Sequence, residues 1–396
     1  MNSASSPNSN SLFSTRLISL YIISFLTGVS LGFFNPLIST LMEQRGINAI
    51  WVGANSTIYF LTIALVTPII ENLLRRIEIR RAMSLGLIFV GFSAPLFPLT
   101  SQIPLWFLIR IVMGFGVCGL LVGGQTALND FCNKQNRSSV NGLYALALGA
   151  GFGIGPVIGP RLYQISPQLA FFFGGGVILS AVFVVWFGLP KKFFVSVPPR
   201  SFFIQTLSRL RYSIHGIFAY GFAEASLVSL YPLFLLRQNY SLAQMGNAFA
   251  VFVVGSIIGT LPVTYLADRF GKVKVLLFCF FFGSLSTLGL VVMHDFQWIL
   301  GFSFWTGVCV GPIYPVCLAL VGEQLPKTEL SSGTALFTTT YSFGCASGPI
   351  FSSIMMQAFG DSHLFSLSIP LYLILVARMW MRPQKLKKPS SLTQLQ

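Results

Sequence analysis

Arg110 and Glu224 are the two ionisable side chains that stand well inside long apolar runs of this 396-residue chain. A charge at the centre of a bilayer costs about 2.5–3.5 kcal/mol on insertion scales, so each must face protein or water, or be neutralised. Glu224 lies about twelve residues into its run, and a carboxyl group there can take up and release a proton as its surroundings change. Two readings stand for it. Either it binds a proton or substrate, or it is a permanently hydrogen-bonded structural glutamate held by Tyr220 one turn earlier. Arg110 keeps its proton in any protein environment, so it binds an anionic group, tunes a nearby acid or donates to backbone carbonyls.

Further polar and aromatic residues interrupt other apolar runs: Asn35, Asn55, Tyr59, Gln125, Asn141, Tyr144, Tyr231, Asn247, Tyr314 and Tyr341. Each alone is more often an interhelical hydrogen bond than a ligand contact. As a set they describe a mostly apolar, aromatic cavity with few charges, which favours a lipophilic or weakly polar solute.

Gly149, Gly151, Gly153, Gly155 and Gly159, with Pro156 and Pro160, make overlapping GxxxG steps, and Gly344, Gly348 and Pro349 repeat the theme later. Small residues let helix backbones approach closely, and prolines remove donors and bend the helix. The run reads as a smooth surface on which two bundles rock, or as tight static packing. In Asp268-Arg269-Phe270-Gly271-Lys272, Gly271 permits a tight turn that a side chain would block. Asp268 can pair with Arg269 or Lys272, a contact that can hold one conformation and release in another. A solvated turn is the alternative. Asp130 and Glu323, 193 positions apart, either form ion pairs between the two halves or are simple loop charges.

Enzyme chemistry finds little to stand on. The six cysteines (Cys118, Cys132, Cys279, Cys309, Cys317, Cys345) form no CxxC, and no His lies at ligand spacing from them. His215 is near a run's edge, while His294 and His363 fall between runs. No GxxxxGK[ST] phosphate loop occurs, so ATP does not drive the protein directly. No cofactor and no metal are expected.

The elements that must position these residues follow from composition. Charged side chains make up 9% of the chain and apolar ones 54%, with mean hydropathy +0.75. A soluble domain runs near a quarter charged, so this surface must face hydrocarbon. Twelve spans are predicted at 15–37, 51–71, 82–99, 104–127, 139–160, 169–189, 212–236, 244–266, 274–293, 297–321, 332–357 and 364–381. The fold class is an all-α membrane protein, and the first span reads as an uncleaved helix. Of the 25 Lys and Arg, 21 fall on one side of these spans, and only Arg45, Arg161 and Arg237 on the other. That bias places both termini in the cytoplasm, and it explains the net charge of +15 without nucleic acid.

The longest connection divides the chain: a tail 1–14, a six-helix bundle 15–189, a linker 190–211, a second bundle 212–381 and a tail 382–396. The halves repeat. Asn35-Pro36 answers Tyr231-Pro232 (196 residues on), Pro68 answers Pro262 (194), Trp106 answers Trp298 (192) and Gly155-Pro156 answers Gly348-Pro349 (193). A constant offset indicates a duplicated six-helix unit. Two such halves form a transporter architecture with substrate at the midplane of the bilayer.

Several segments resemble a known family. Asp268-Arg269-Phe270-Gly271-Lys272 resembles the D-R-x-G-[RK] loop signature of the major facilitator superfamily, and Arg110 with Gly114 and Gly116 resembles its fourth-helix motif. The span-five glycine-proline run is similar to the motif associated with its antiporters. More narrowly, Gly311 and Tyr314-Pro315 through Gly322-Glu323 resemble the bacterial YcaD-like branch of permeases. There are departures: the first-half loop lacks the Asp-Arg pair and the glycine, and Gln125 stands where related permeases often carry an acid. The resemblance implies the major facilitator fold, with two pseudo-symmetric bundles. It also implies a secondary active transporter working by alternating access: a proton-coupled exporter of a small organic solute, with a metabolite symporter or facilitator as the alternative and a transport-inactive sensor behind both. The expected setting is a bacterial inner membrane, the partners protons, solute and lipid bilayer, and the working unit a monomer. The substrate or proton site is expected among Glu224, Arg110, Asn35, Tyr59, Gln125, Tyr144, Tyr231, Tyr314 and Tyr341. Gating is expected at Asp268, Arg269, Gly271, Lys272, Gly151, Gly155, Pro156, Gly159, Gly348, Pro349, Asp130 and Glu323.

Overall fold

The computed structural model describes residues 12–74, 76–132, 136–190, 209–325 and 329–381. The expected tails and most of the 190–211 linker lie outside these residues, as do Arg75, Lys134, Lys191, Lys192, Arg200 and Lys327 of the charge pattern.

The described residues form twelve long helices: α1 Thr15–Gln44, α2 Ala49–Leu74, α3 Ile79–Leu96, α4 Ile103–Phe131, α5 Arg137–Ile165, α6 Pro167–Gly188, α7 Arg211–Arg237, α8 Leu242–Phe270, α9 Lys272–Val292, α10 Phe296–Gln324, α11 Leu330–Phe359 and α12 Asp361–Met381. Each expected span lies mostly on one helix, and many helices run several residues past the apolar stretch. Eleven are long and apolar enough to cross a membrane. The exception, α11, has 30 residues but is rich in Ser, Thr and Gly.

Local chemistry sets several ends. Ser14 caps α1 by accepting from the Leu17 N–H, and Ser166 caps α6 ahead of Pro167. Ser241 and Gln244 exchange bonds in a capping box at α8: the Gln244 N–H donates to Ser241 Oγ (3.2 Å), and the Ser241 N–H to Gln244 Oε1 (2.9 Å). A single residue, Gly271, separates α8 from α9. Its φ of +98° lies where an L side chain is strained, although a Cβ there would meet no atom within 4 Å. Helix α10 is broken at Gly311-Pro312, where proline supplies no donor. Helix α12 begins as a 3₁₀ turn, Asp361–Phe365.

By contacts the chain divides into two compact units. The first holds Met1–Pro198 together with Leu235–Ala250, and the second holds Pro199–Phe234 with Val251–Gln396. In the first, the rings of Phe34, Phe171, Phe97 and Trp106 stack in series at 6.0, 6.2 and 6.4 Å, and Trp106 Nε1–H donates to Phe97 O (3.1 Å). The second has a core from α7, α9, α10 and α12, including Ile217, Phe280, Cys317 and Tyr372. Large apolar side chains such as Phe187, Leu261 and Trp380 are exposed. Lipid is the solvent that suits such a surface.

Candidate functional site

In the first unit the polar residues converge on Arg110. Its Nε donates to Asn55 Oδ1 (3.0 Å) and its Nη1 to Asn35 Oδ1 (2.9 Å), so α4 is tied to α2 and α1. The guanidinium carbon lies 4.6 Å from the centroid of the Tyr59 ring, a cation–π contact strengthened by the burial of both groups. Arg110 is 0% exposed, and Asn35, Asn55 and Tyr59 are buried with it. Among the described residues Arg110 has no ion-pair partner, and Arg110 Nη2 and Asn55 Nδ2 have no hydrogen-bond partner. Gln125 and Tyr144 do not join this group. Gln125 is exposed and donates to Asn141 Oδ1 (3.0 Å), and Tyr144 is buried, its hydroxyl close to Gly124.

In the second unit the centre is Glu224. Tyr220, one turn earlier on α7, donates its hydroxyl to Oε1 (2.9 Å), and Tyr341 of α11 donates to Oε2 (2.7 Å). Tyr314 of α10 completes a ring of tyrosines, its centroid 5.4 Å from Tyr341 and 6.1 Å from Tyr220. Glu224, Tyr314 and Tyr341 are half-buried, and Tyr220 is buried. The carboxylate has no cationic partner among the described residues. Tyr231 lies apart from this group: its hydroxyl is 2.9 Å from Ser303 Oγ, inside the contact of α7 with α10.

The residues expected to gate divide into two kinds. At the α8–α9 turn Lys272 Nζ donates to both Asp268 Oδ1 (2.9 Å) and Glu323 Oε1 (2.5 Å), joining the turn to the end of α10. The partner of Asp268 is therefore Lys272, while Arg269 is exposed and rests over the Phe270 ring. Glu323 forms its ion pair inside its own unit. Asp130 is exposed and has no ion pair among the described residues.

The glycines are the second kind, and they serve helix seams within each unit. A Cβ on Gly155 would lie 2.6 Å from the Gly32 backbone of α1, and one on Gly151 would overlap Phe25 O. Gly159 faces Phe33 and Leu37. On α11, Gly348 lies against Phe222 O of α7, and Gly344 against Phe218 O. These are close approaches between helices of one unit. Pro156 and Pro160 meet Gly246 of α8. Pro349 sits in the same helix as Gly348.

Sequence reasoning missed the capture of the three arginines that escape the charge bias. Arg237 makes a two-pronged ion pair with Glu43 (2.8 and 3.0 Å). Arg45 donates to Thr100 O and Pro98 O and lies over Trp106. Arg161 Nη1 donates to Val157 O (2.5 Å). The isolation of these three cations on a charge-poor side is the signal that each needs a local partner. Buried Arg80, 3.9 Å over the Trp186 ring, was also passed over as a topology charge.

The Major Facilitator Superfamily model matches residues 20–211 and 214–395. An uncharacterized MFS-type transporter of Bacillus subtilis, YfkF, is 30% identical over 353 residues, covering 87% of this chain and 90% of its own. The uncharacterized YcaD of Escherichia coli is 26% identical, covering 89% and 92%. Among solved structures, a bacterial homolog of the human lysosomal transporter Spinster superposes with TM-score 0.80 at 13% identity, over 92% of this chain and 95% of that one. The nucleoside transporter NupG gives 0.73 at 13%, over 93% and 99%. The structural likenesses show the same twelve-helix fold, the sequence relatives show the lineage, and the relatives are transporters, not enzymes. The chain belongs to the Major Facilitator Superfamily and is a multi-pass membrane transport protein.

Proposed function

We propose that this protein is a proton-coupled secondary transporter that works by alternating access and exports a small, lipophilic or weakly polar organic solute. The observation that carries the reading is Glu224. It is a carboxylate deep in a span, without a cationic partner among the described residues, held by two tyrosine hydroxyls from two helices. Such a group can bind a proton from one face and release it to the other, because each tyrosine hydroxyl can donate to a carboxylate or accept from a carboxylic acid. Tyr314, Tyr341 and Tyr220 form the aromatic wall beside it. Arg110, with Asn35 and Tyr59, supplies a fixed positive charge in the first unit, and Gln125, Tyr144 and Tyr231 belong to helix contacts that frame the binding helices. Lys272, with Asp268 and Glu323, is the gating contact, and Gly271 is the turn it depends on.

The family supports transport. The coupling ion, direction and solute class are carried here by the residues alone, with export resting on the likeness of the α5 glycine-proline run to an antiporter motif. The 21 cations of the charge bias support a cytoplasmic position for both termini, and the bacterial relatives support a bacterial inner membrane. The bundles are taken as 15–189 and 212–381, joined by a cytoplasmic linker, and the monomer is taken as the working unit.

Screening deletion and overexpression strains against toxic compounds and metabolites identifies the solute. Transport is then measured in liposomes carrying an internal pH dye. Glu224→Gln is expected to abolish solute-driven proton movement while the purified variant stays monodisperse. Undiminished proton movement in that variant rules Glu224 out as the coupling residue. Solute accumulation that persists after the proton gradient is collapsed favours a facilitator.

A further inference from the structure

Two clefts in the second unit share Arg211 and His215. One, of about 440 Å³, is lined by Arg211, Tyr212, His215, Leu375, Arg378 and Met381 at the ends of α7 and α12. The other, of about 450 Å³, has Ile214, Phe218, Thr340 and Leu371 as its remaining walls. From Arg211 to Phe218 the helix advances about 10 Å, so the pair reads as one open groove, cationic at the helix end and apolar up to two turns further along. Trp380, beside Arg378, is 79% exposed, which marks the level of the membrane interface.

Arg211 and Arg378 form no ion pair among the described residues. Arg378 Nη1 lies 3.4 Å from His215 Nδ1, and the His215 ring also meets the backbone of Leu371. The acids of the same unit are engaged elsewhere or distant: Glu224 by tyrosines, Asp268 and Glu323 by Lys272, Asp295 by the first turn of α10, Glu329 by Arg209 (3.4 Å), and Asp361 stands at the opposite end of α12 from Arg378. The flanking sequence offers no relief, since 191–208 and 382–396 add Lys and Arg and no acidic residue.

We propose that this groove is a binding site for an anionic phospholipid, its phosphate between Arg211, Arg378 and His215 and an acyl chain along Ile214, Phe218 and Leu371. Unpaired cations at headgroup depth above an apolar slot match that amphiphile in both charge and order. The site is independent of the transport reading.

Native mass spectrometry of the full chain tests it, with equimolar phosphatidylglycerol and phosphatidylcholine of identical acyl chains. The wild type is expected to retain phosphatidylglycerol preferentially, and Arg211→Gln with Arg378→Gln to cut that preference roughly 30-fold. Lys at both positions should keep most of it. Equal retention of the two lipids, or an unchanged preference in the Gln variant, overturns the site. Thr340→Trp fills the deep end with both arginines in place and is expected to weaken retention; wild-type retention there overturns the acyl placement. Inorganic phosphate should not displace the lipid, and displacement by it would reassign the cations to a free anion.

Discussion

The two units use the same helix contacts for opposite chemistry. The offset that aligns Gly155 with Gly348 takes Arg110 to Ser303, and the one that aligns Pro36 with Pro232 takes Asn35 to Tyr231. The first unit therefore joins α1 to α4 through a buried cation and an amide, where the second joins α7 to α10 through two neutral hydroxyls. At the other seam the roles reverse. Glu224 and Tyr341 bond across α7 and α11, and the same offsets lead to Gly28 and Leu148, where α1 and α5 meet backbone to backbone. Duplication kept the places where helices touch and left their chemistry free to diverge. Trp106 and Trp298 say the same of packing: one is fully buried, and the other is 61% exposed.

The largest expected effect comes from the glycine seam inside the first unit. Gly155→Leu drives a side chain into the Gly32 backbone, where overpacking costs roughly 1–3 kcal/mol or more, so little folded protein should survive in thermal unfolding of the detergent-purified variant. Gly142→Leu, on the same helix with open space around it, should behave as wild type. Equal stability of the two variants would mean that α5 does not depend on close approach. A middle effect separates the units directly. Arg110→Met leaves Asn35 and Asn55 without their donor and should lower stability by about 1–3 kcal/mol, while Ser303→Ala, at the matching position, should cost about 0.5–1.5 kcal/mol. A smaller loss at Arg110 than at Ser303 would show that the buried charge is a burden its neighbours do not offset. The smallest effect belongs to Lys272→Gln. Its partners Asp268 and Glu323 are 73% and 45% exposed, so stability should fall by about 1 kcal/mol or less, and a gating role would show instead as an altered transport rate.

Much of this was legible in the residues. Apolar runs located every helix, because a span has no other way to satisfy its surface and its backbone together. Arg110 and Glu224 declared themselves by being charged where charge is costly. Their partners did not. That Asn55 and Tyr59 meet Arg110, and that Tyr341 meets Glu224, depends on how each helix is rotated about its axis, which a repeat of landmarks along the chain does not encode. The glycines of α5 show the same gap. Their spacing announced a close approach, but only the coordinates name α1 as the neighbour. The break in α10 was written as Gly311-Pro312 and read through as a continuous span. The lipid-facing cleft escaped because Arg211 and Arg378 were counted only toward topology.

The membership of Leu235–Ala250 in the first unit bears on biosynthesis. Glu43 holds Arg237, Thr40 lies against Met245, and Pro156 against Gly246, so contacts of helices made early are completed by residues made much later. As the ribosome finishes α6, Glu43 and the α5 surface at Pro156 still lack the neighbours they have in the finished chain.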